Sequence, residues 1–568
     1  MALIDWLVLV FVLLAVIVYG IWKSRGQQNM DSYFLGNQQM PWYVVLLSVM
    51  GTQASAITFL SAPGQAYTDG MRFVQYYFGL PLAMVVLCIT FVPIFRKFQV
   101  FTAYQFLEQR FDVKTRTLTS GLFLVSRGLS TGISILAPTI ILSAVFGWNL
   151  YLTNILMGGL LIIYTVFGGT KAVAYTQTQQ FIVIFAGMFI AGYLVVNGLP
   201  ETVSFSDALH ISGKSDKLNV FTTGFTKQGF DWKDRYNIWS GGIGGFFLAL
   251  SYFGTDQSQV GRYVSAKSVS ESRIGLLMNG LVKVPMQFLI LLIGALLFSF
   301  FQFEKPPLFF KQSLNEDLAR LPEGKKLLSE YKNLTQTERQ LTENLLIKQK
   351  EASDIEVSAI QTALANLEND KKEMRKSASE LLKTANPATD TNDTNYIFLY
   401  FVVNYLPKGL VGLLIAVIFL SSWGSIAAAL NSLASTSMVD IHCRFFQKNL
   451  TDSQQLSISR AWTLGWGIFC IMVAQLASNM GSLIEAVNIL GSLFYGTILG
   501  IFLVAFYLKK IGGTATFWAA VLSELLVITV YQMEIVSFLW LNVIGCMLVI
   551  LLAFILHYYS LWKHESNI

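Results

Sequence analysis

Charged residues are scarce in this sequence of 568 residues. Lys, Arg, Asp and Glu together make up 13% of the chain, whereas 54% of the residues are hydrophobic and 14% are aromatic. A soluble globular domain carries about 25% charged residues, because its surface has to be hydrated. The composition therefore excludes a soluble globular chain and indicates a polytopic membrane protein.

Cysteine and histidine are scarce as well. The four cysteines (Cys88, Cys443, Cys470 and Cys546) lie in or beside apolar segments without paired spacing, and the four histidines form no metal-ligating pattern. Neither a disulfide framework nor a metal site is indicated, and no nucleophile and base stand in a pattern that suggests an enzyme. The first 25 residues also lack a basic n-region and a small-residue cleavage site, so we expect a retained transmembrane helix.

Apolar segments long enough to cross a bilayer recur along the whole chain. A window of about 19 residues predicts a series of membrane-spanning helices. The thirteen predicted spans are 5–23, 41–62, 72–95, 118–146, 149–168, 176–197, 236–255, 271–302, 405–441, 457–477, 483–507, 514–532 and 537–560.

Positive charge is distributed unevenly between the loops. Lys and Arg are concentrated in one set of short loops, against Arg72 alone in the short loops opposite. The positive-inside rule makes the richer side cytoplasmic. We therefore predict a protein of the cell membrane, plasma or bacterial inner, with its N-terminus outside and its C-terminus in the cytoplasm. The net charge of +6 then reflects topology and does not call for a nucleic-acid partner.

Two long loops, 198–235 and 303–400, fall on the outside in this topology. Residues 311–395 hold 15 acidic and 13 basic residues, with apolar residues at three- and four-residue spacing, and this pattern predicts a solvated helical hairpin. The hairpin is either a tolerated insertion, since long surface loops cost little closure entropy, or an arm that docks an extracytoplasmic protein partner. If it is a tolerated insertion, a short Gly/Ser linker can replace 311–395 without loss of function.

The segment 48–67 is membrane-length and apolar, but Gly51 and small polar residues up to Ser61 interrupt it. In a bilayer the backbone groups freed by such a break must face protein, a cavity or an ion, and broken helices near the midplane form the binding sites of many transporters. Close packing of two helices would also use small residues. Asp256, which follows a span rich in glycine at 241–245, indicates a second broken helix.

Other polar groups lie within predicted spans. Ser421, Gly424 and Ser425 share one face of their helix. Arg127 and Lys283 fall near the middle of the bilayer, where ionisable side chains usually line a pathway. Either cation can instead bond backbone carbonyls in a structural role.

Five stretches of this sequence together resemble the sodium/solute symporter family, which includes the sodium/glucose cotransporters, the sodium/proline and sodium/iodide symporters and the bacterial sialic acid symporters. The stretches are YFLGNQQMPWYVVLLSVMGTQASAITFLSAPGQAY from residue 33, FTAYQFLEQRFD from 101, FGGTKAVAYTQTQQ from 167, YLPKGLVGLLIAVIF from 405 and SIAAALNSLASTSMVDI from 425.

The resemblance implies an all-α membrane protein with a LeuT-like fold. Its parts would be a leading helix and loop (1–40), a first inverted five-helix repeat (41–197), an external loop (198–235), a second repeat (236–507) interrupted by the insert, and two trailing helices with a tail (508–568). It also implies sodium-coupled symport of a small polar organic solute, sugar-like or carboxylate-bearing, by alternating access in a lipid bilayer. Na⁺ would be the coupling ion, and no cofactor is implied. The alternative of a different class is a transporter-like sensor or docking protein that acts through the hairpin.

The resemblance assigns the sodium site to the carbonyls of Gly51 and Ala54, the carbonyl of Ser421 and the hydroxyl of Ser425. Gly424 stands where the family often has a second hydroxyl residue, so it can offer only a carbonyl. Neutral oxygens of this kind suit a hard monovalent cation.

The same resemblance assigns the solute site. Lys283, Tyr252 and Phe253 match the lysine, the inner-gate tyrosine and the neighbouring aromatic residue of the sodium/sugar cotransporters. Thr58 and Tyr77 replace their glutamine and glutamate, which argues against a simple hexose. Further candidates are Arg127, on the helix where sialic acid symporters hold a carboxylate, and Gln75, Glu485 and Asn488.

One further position concerns the number of sodium ions. Family members that bind a second Na⁺ have an Asp where this chain has Gln177, next to paired hydroxyl residues of which one is Gly424 here. Both replacements predict one sodium ion per solute.

Overall fold

The computed structural model describes residues 2–24, 38–350, 354–387, 389–447, 450–477 and 482–565. The predicted loop at 25–37 and the last three residues of the predicted tail lie outside this part of the chain. Within it, helices dominate, and the described strands form one short antiparallel hairpin in which Phe225 pairs with Phe230 and Thr226 pairs with Gly229.

The chain up to the predicted insert follows one order of elements. They are α1 (Leu3–Ser24), α2 (Trp42–Gln53), α3 (Ala56–Asp69), a 3₁₀ helix (Met71–Tyr77), α4 (Leu80–Ile89), α5 (Phe91–Phe98), α6 (Ala103–Arg110), α7 (Val113–Phe146), α8 (Leu150–Asn197), α9 (Phe205–Lys214), β1 (Phe225–Thr226), β2 (Gly229–Phe230), a π-helix (Ser240–Gly244), α10 (Gly245–Thr255), α11 (Gln257–Val264) and α12 (Val269–Phe303).

The remainder comprises the insert and the last membrane helices. The elements are α13 (Gln312–Arg320), α14 (Pro322–Lys350), α15 (Asp354–Ala385), a 3₁₀ turn (Thr394–Tyr396), α16 (Ile397–Tyr405), α17 (Leu410–Thr436), a π-helix (Ser437–Phe446), α18 (Asp452–Leu476), α19 (Leu483–Tyr507), α20 (Gly513–Gln532) and α21 (Phe538–Glu565).

Nine helices of the described chain are long and apolar enough to cross a membrane, and the bent pair α2 and α3 makes ten if it is counted as one span. The other three predicted spans are 5–23, 149–168 and 236–255. They correspond to shorter apolar stretches, namely Leu3–Val16 within α1 and Leu150–Val166 within α8, and to the short helix α10. The exact number of thirteen therefore stays a prediction.

The helix α8 does not run straight from Leu150 to Asn197. The Tyr164 and Thr176 hydroxyl oxygens lie 3.0 Å apart, whereas twelve residues of straight helix would separate them by about 18 Å along the axis. The helix is therefore bent between these two residues. This agrees with the two predicted spans, 149–168 and 176–197.

Both predicted helix breaks are present. Between α2 and α3, Ala54 leaves the helical region (φ −82°, ψ 82°), and the two axes differ by 60°. The Ser55 hydroxyl caps α3 by accepting the Ile57 N–H at 3.3 Å, as expected of an N-cap serine. At the second break, Asp256 separates α10 from α11 and accepts the Ser258 N–H at 2.8 Å.

The predicted helical hairpin is confirmed as the pair α14 and α15, with the short α13 in front of it. Its base has a small apolar core of its own, separate from the large core of the membrane body. The buried residues of this small core are Leu308, Phe309, Leu314, Leu318, Tyr331, Ala378 and Leu382.

Close backbone contact fixes α3, the second half of the first broken helix. A Cβ atom on Gly294 of α12 would lie 2.1 Å from the Pro63 carbonyl oxygen of α3. Only a residue without a side chain allows this separation, so the glycine sets the distance between the two helices.

We expect the substitution Gly294→Ala to destabilise the protein by about 1–3 kcal/mol, because the added methyl group forces α12 and α3 apart. The measurement is the thermal midpoint of the purified protein in detergent. Gly159→Ala is the matched control, since a Cβ at this helical position meets nothing within 4 Å. Equal midpoints for the Gly294 variant and the unaltered protein would contradict the expectation.

Candidate functional site

A polar cavity lies beside the break between α2 and α3. Its walls come from this break, the 3₁₀ helix, α7, α10, α17 and α19, so elements of both predicted repeats meet there. The lining residues are Thr52, Gln53, Ser55, Ile57, Thr58, Tyr76, Tyr77, Arg127, Ser130, Thr131, Ser134, Leu248, Tyr252, Ser425, Ile426, Ala429, Ile484, Val487, Asn488, Gly491 and Tyr495.

Of the five residues predicted for the sodium site, Ser425 lines this cavity and the other four do not. Ser425 lines the cavity together with Thr52 and Ser55 of the break. Its hydroxyl donates to the Ser422 carbonyl oxygen of its own helix at 3.1 Å, which leaves oxygen lone pairs free to accept or to coordinate. Ala54 and Ser421 are both buried on the same two helices.

Gln177 of α8 fills the space between Gly51 and Gly424. Its amide nitrogen donates to the Gly424 carbonyl oxygen at 3.0 Å and approaches the Thr52 hydroxyl at 3.4 Å. Its amide oxygen accepts the Ser48 hydroxyl at 2.8 Å. A neutral amide N–H group is therefore directed at one of the carbonyls that the sequence assigned to the sodium site.

Arg127 and Asp256 form the charged part of the cavity wall. The Arg127 side chain is nine-tenths buried, and its Nη1 lies 3.7 Å from the Asp256 carboxylate. The Arg127 Nε has no hydrogen-bond partner among the described residues. The cation therefore has a counter-charge nearby, and its Nε keeps an unused donor.

Asp256 already accepts several shorter hydrogen bonds. The Ser258 hydroxyl donates to one carboxylate oxygen at 2.6 Å, and the Tyr495 hydroxyl donates to the other at 2.9 Å. Tyr252 lies next to this pair, with its ring centroid 5.7 Å from the Arg127 guanidinium carbon and its hydroxyl accepting from Gln259 at 2.8 Å. These contacts fix the positions of both charges.

Five of the nine predicted solute-site residues line the cavity, namely Thr58, Tyr77, Arg127, Tyr252 and Asn488. Phe253 is fully buried behind Tyr252, and their rings meet edge to face at 5.0 Å. The amide of Gln75 is used structurally, since it donates to Thr222 at 3.0 Å.

Glu485 lies one turn beyond Asn488 on α19 and forms an ion pair with Arg235 at 2.7 Å. It belongs to a polar network that includes α3. Gln65 of α3 donates to Glu485 at 3.5 Å and accepts from Ser482 at 3.3 Å. The network joins α3 to α19.

Lys283 does not line the cavity but lies behind Tyr77. Its ammonium nitrogen is 5.7 Å from the centroid of the Tyr77 ring and has no hydrogen-bond partner in the described part of the chain. Asn279 and Gln287, one helical turn to either side, also have buried polar atoms without partners among the described residues. A buried polar stripe of this kind on α12 was not predicted from the sequence.

Several residues that line the cavity were not predicted from the sequence. Ser130, Thr131 and Ser134 follow Arg127 at spacings of three, four and seven residues, which places them on its face of α7. This periodicity was available as a signal. Tyr495 gave no such signal, because a lone tyrosine in an apolar span is typical of core packing.

The chain is similar to known proteins in both sequence and structure. The family model described as "SSF: Sodium:solute symporter family" matches residues 33–306 and 379–523. A sodium-dependent multivitamin transporter from Oryctolagus cuniculus is 26% identical over 519 residues, which are 88% of this chain and 66% of that protein. A sodium/sialic acid symporter from Proteus mirabilis is 25% identical over 556 residues, which are 96% of this chain and 93% of that protein.

A solved structure shares the architecture. It is a Na⁺-coupled sialic acid symporter in a substrate-bound, outward-open state, with a TM-score of 0.75 and 23% identity over 98% of both chains. This likeness establishes the LeuT-like fold that the resemblance implied, whereas the matched stretches of sequence establish the family. The chain belongs to the sodium:solute symporter family, and is therefore a sodium-coupled membrane transporter and not an enzyme.

Proposed function

We propose that this symporter imports a small organic anion, whose carboxylate is bound by Arg127 in the cavity, together with one sodium ion. The observation that carries the proposal is a buried cavity-lining arginine with an unused donor at its Nε. A sensor or docking role is not favoured, because the relatives are transporters and the cavity is intact.

Electrostatics supports an anionic solute. The 3.7 Å separation between Arg127 and Asp256 is too long for a hydrogen bond, and Asp256 is engaged with Ser258 and Tyr495. Arginine presents donors in a planar fork that fits a carboxylate. An incoming carboxylate would therefore add hydrogen bonds that the resting cavity lacks.

The rest of the cavity suits a hydroxylated solute. The hydroxyls of Ser130 and Thr131 donate to the Arg127 carbonyl oxygen at 3.2 Å and 2.6 Å, so their lone pairs can accept hydrogen bonds from a solute. Sialic acid, named for one relative and for the structural neighbour, is a sugar acid with this combination of groups. We therefore favour a hydroxylated carboxylic acid over a neutral sugar.

We propose that Na⁺ binds beside the cavity to neutral oxygens of the first helix break and of α17. The contributing groups would be the carbonyls of Gly51, Ala54 and Ser421 and the hydroxyl of Ser425. Lys283 would act on the solute only through Tyr77 or after movement of that ring. We also retain the proposed orientation, with the hairpin outside the cell membrane.

Loss of one sodium ligand should weaken sodium binding without unfolding the protein. We expect Ser425→Ala to raise the half-saturating Na⁺ concentration of uptake about three- to tenfold, since about 1 kcal/mol is lost with one ligand. The measurement is solute uptake into proteoliposomes over a series of Na⁺ concentrations. Ser435→Ala is the control, because this hydroxyl is buried on the same helix and donates to Ser432 but does not line the cavity. An unchanged sodium dependence of the Ser425 variant would contradict the assignment.

The solute class can be tested by comparing how the substitution Arg127→Lys changes the binding of an acid and of its uncharged carboxamide. Sialic acids, short carboxylates and neutral sugars are first screened by thermal shift with and without Na⁺, and the best acid is compared with its carboxamide. We expect Arg127→Lys to weaken binding of the acid about tenfold or more, because the bidentate contact is lost.

The carboxamide should bind the unaltered protein weakly, and the substitution Arg127→Lys should change its affinity little. Arg110→Lys is the control, since Arg110 donates to backbone carbonyls such as that of Lys509 at 2.8 Å, remote from the cavity. The proposal fails if neutral sugars give the sodium-dependent stabilisation, or if acid and amide lose affinity equally.

The amide of Gln177 supports a coupling ratio of one. It already donates to the Gly424 carbonyl, and it brings no charge to offset repulsion between two nearby cations. At about 4 Å that repulsion is about 4 kcal/mol at an effective dielectric constant of 20. A second Na⁺ would have to displace the amide and bear this cost.

We expect reversal-potential measurements in proteoliposomes to give one Na⁺ per solute. Gln177→Asp alone should leave the ratio at one, because Gly424 still lacks a hydroxyl. The double variant Gln177→Asp with Gly424→Ser restores both missing groups and is expected to raise the ratio toward two. A ratio of two in the unaltered protein would refute the expectation.

A further inference from the structure

Most of the insert lies outside the part of the chain that the family model matches. The model matches up to residue 306 and again from 379, so α13, α14 and most of α15 fall between the two matched parts. The hairpin is nevertheless linked to α3, the second half of the first broken helix, through Lys217 and through the 3₁₀ turn that follows α15.

Lys217 is the first link between the insert and α3. Its ammonium group donates to the Thr68 carbonyl oxygen at the C-terminal end of α3 at 2.7 Å and lies 3.8 Å from Glu368 of α15. It also lies 4.9 Å from the centroid of the Phe298 ring of α12. One buried cation thus joins the hairpin, the half-helix and α12.

The end of a helix has unpaired carbonyls and a partial negative charge, which a cation stabilises. Burial and the nearby ammonium group of Lys372 lower the pKa of Lys217, and the carboxylate of Glu368 opposes this shift. Glu368 of the hairpin therefore helps to keep charged the group that caps α3.

The segment that leads from α15 back to α16 forms the second link between the insert and α3. A Cβ atom on Gly64 of α3 would lie 2.0 Å from the Thr394 carbonyl oxygen, so the 3₁₀ turn rests directly on α3. The preceding residue, Asp393, is held by an ion pair with Arg375 of α15. Arg375 also covers the Phe309 ring at 5.1 Å in the apolar core of the hairpin base. The position of the turn thus depends on the folded insert.

The half-helix α3 also carries Thr58 into the solute cavity. Gly64 and Thr68 lie about 9 and 15 Å further along the same helix at about 1.5 Å per residue. At this end of α3, Gln65 hydrogen-bonds to Glu485 and Ser482 at the start of α19. Separation of α3 from α19 would break these bonds and open this end of the transporter.

We propose that the insert is a clamp that holds α3 in its closed position, with Lys217 and Glu368 as positioning residues and Thr394 as the contact point. Loosening the clamp shifts the transporter toward opening at this end. The expectation that 311–395 can be replaced without effect on flux is revised accordingly, because that segment includes Glu368, Asp393 and Thr394. The inference requires alternating access but does not depend on the identity of the solute.

Hydrogen–deuterium exchange of the full-length protein in nanodiscs, without solute, tests the clamp. We expect Lys217→Met to speed exchange of amides 64–69 about three- to tenfold, and Glu368→Gln to speed it about twofold, since loss of contacts lowers the free energy of local opening. Lys217→Arg keeps the charge and the donor and should restore slow exchange.

The pair Lys326 and Glu330 provides matched controls. It has the same separation of 3.8 Å, but it lies exposed on the hairpin, so Lys326→Met and Glu330→Gln should leave exchange at 64–69 unchanged. A second readout is uptake, in which the clamp variants should change the half-saturating Na⁺ concentration at least about twofold while the controls do not.

The proposal is overturned if exchange at 64–69 is unchanged in both clamp variants, or if the controls change it equally. It is also overturned if amides 378–385 of the hairpin accelerate in step with α3, because the effect is then unfolding of the insert. Should Lys217→Met fail to fold, Glu368→Gln alone decides by the same criteria.

Discussion

The helix breaks at Ala54 and Asp256 impose the constraint on which the rest of this structure depends. A bilayer provides no water for freed peptide groups, so each break has to be satisfied by protein, by a cavity or by an ion. The first break opens onto the polar cavity between α7, α10, α17 and α19. The second is closed by the Asp256 side chain, which caps α11 and at the same time serves as counter-charge to Arg127. The binding region therefore arises from the interruption of helices.

The two kinds of charge in this region are handled differently. Sodium would meet only neutral oxygens, which can hold a monovalent cation without a buried carboxylate to desolvate. Arg127 instead carries a permanent charge that must be balanced in the low-dielectric interior. Asp256 balances it without occupying its donors, because Ser258 and Tyr495 hold the carboxylate at a distance. This arrangement allows a solute anion to enter without an unpaired charge in the empty state.

The insert, most of which the family model does not match, is attached to a helix of the transporter core. Its tip is solvated and highly charged, whereas its base is bound to α3 through Lys217 and through the turn at Thr394. Long surface loops cost little closure entropy, which explains why such an insertion is tolerated. Its attachment to α3, which carries Thr58 into the cavity, is the route by which we propose that it acts on transport.

Composition and periodicity by themselves determined the membrane class, the positions of the helices, the two breaks and the helical hairpin, because these features depend on local hydropathy and on backbone satisfaction. The family motifs identified the type of transporter. Only the tertiary structure decided which polar residues share a cavity. Gln75, Phe253, Glu485 and Lys283 looked equivalent to Arg127 and Asn488 in the sequence, yet packing placed them outside the cavity. Likewise, the amide of Gln177 and the ammonium group of Lys217 acquire their roles from partners more than 100 residues away, and such distant pairings depend on how the helices pack.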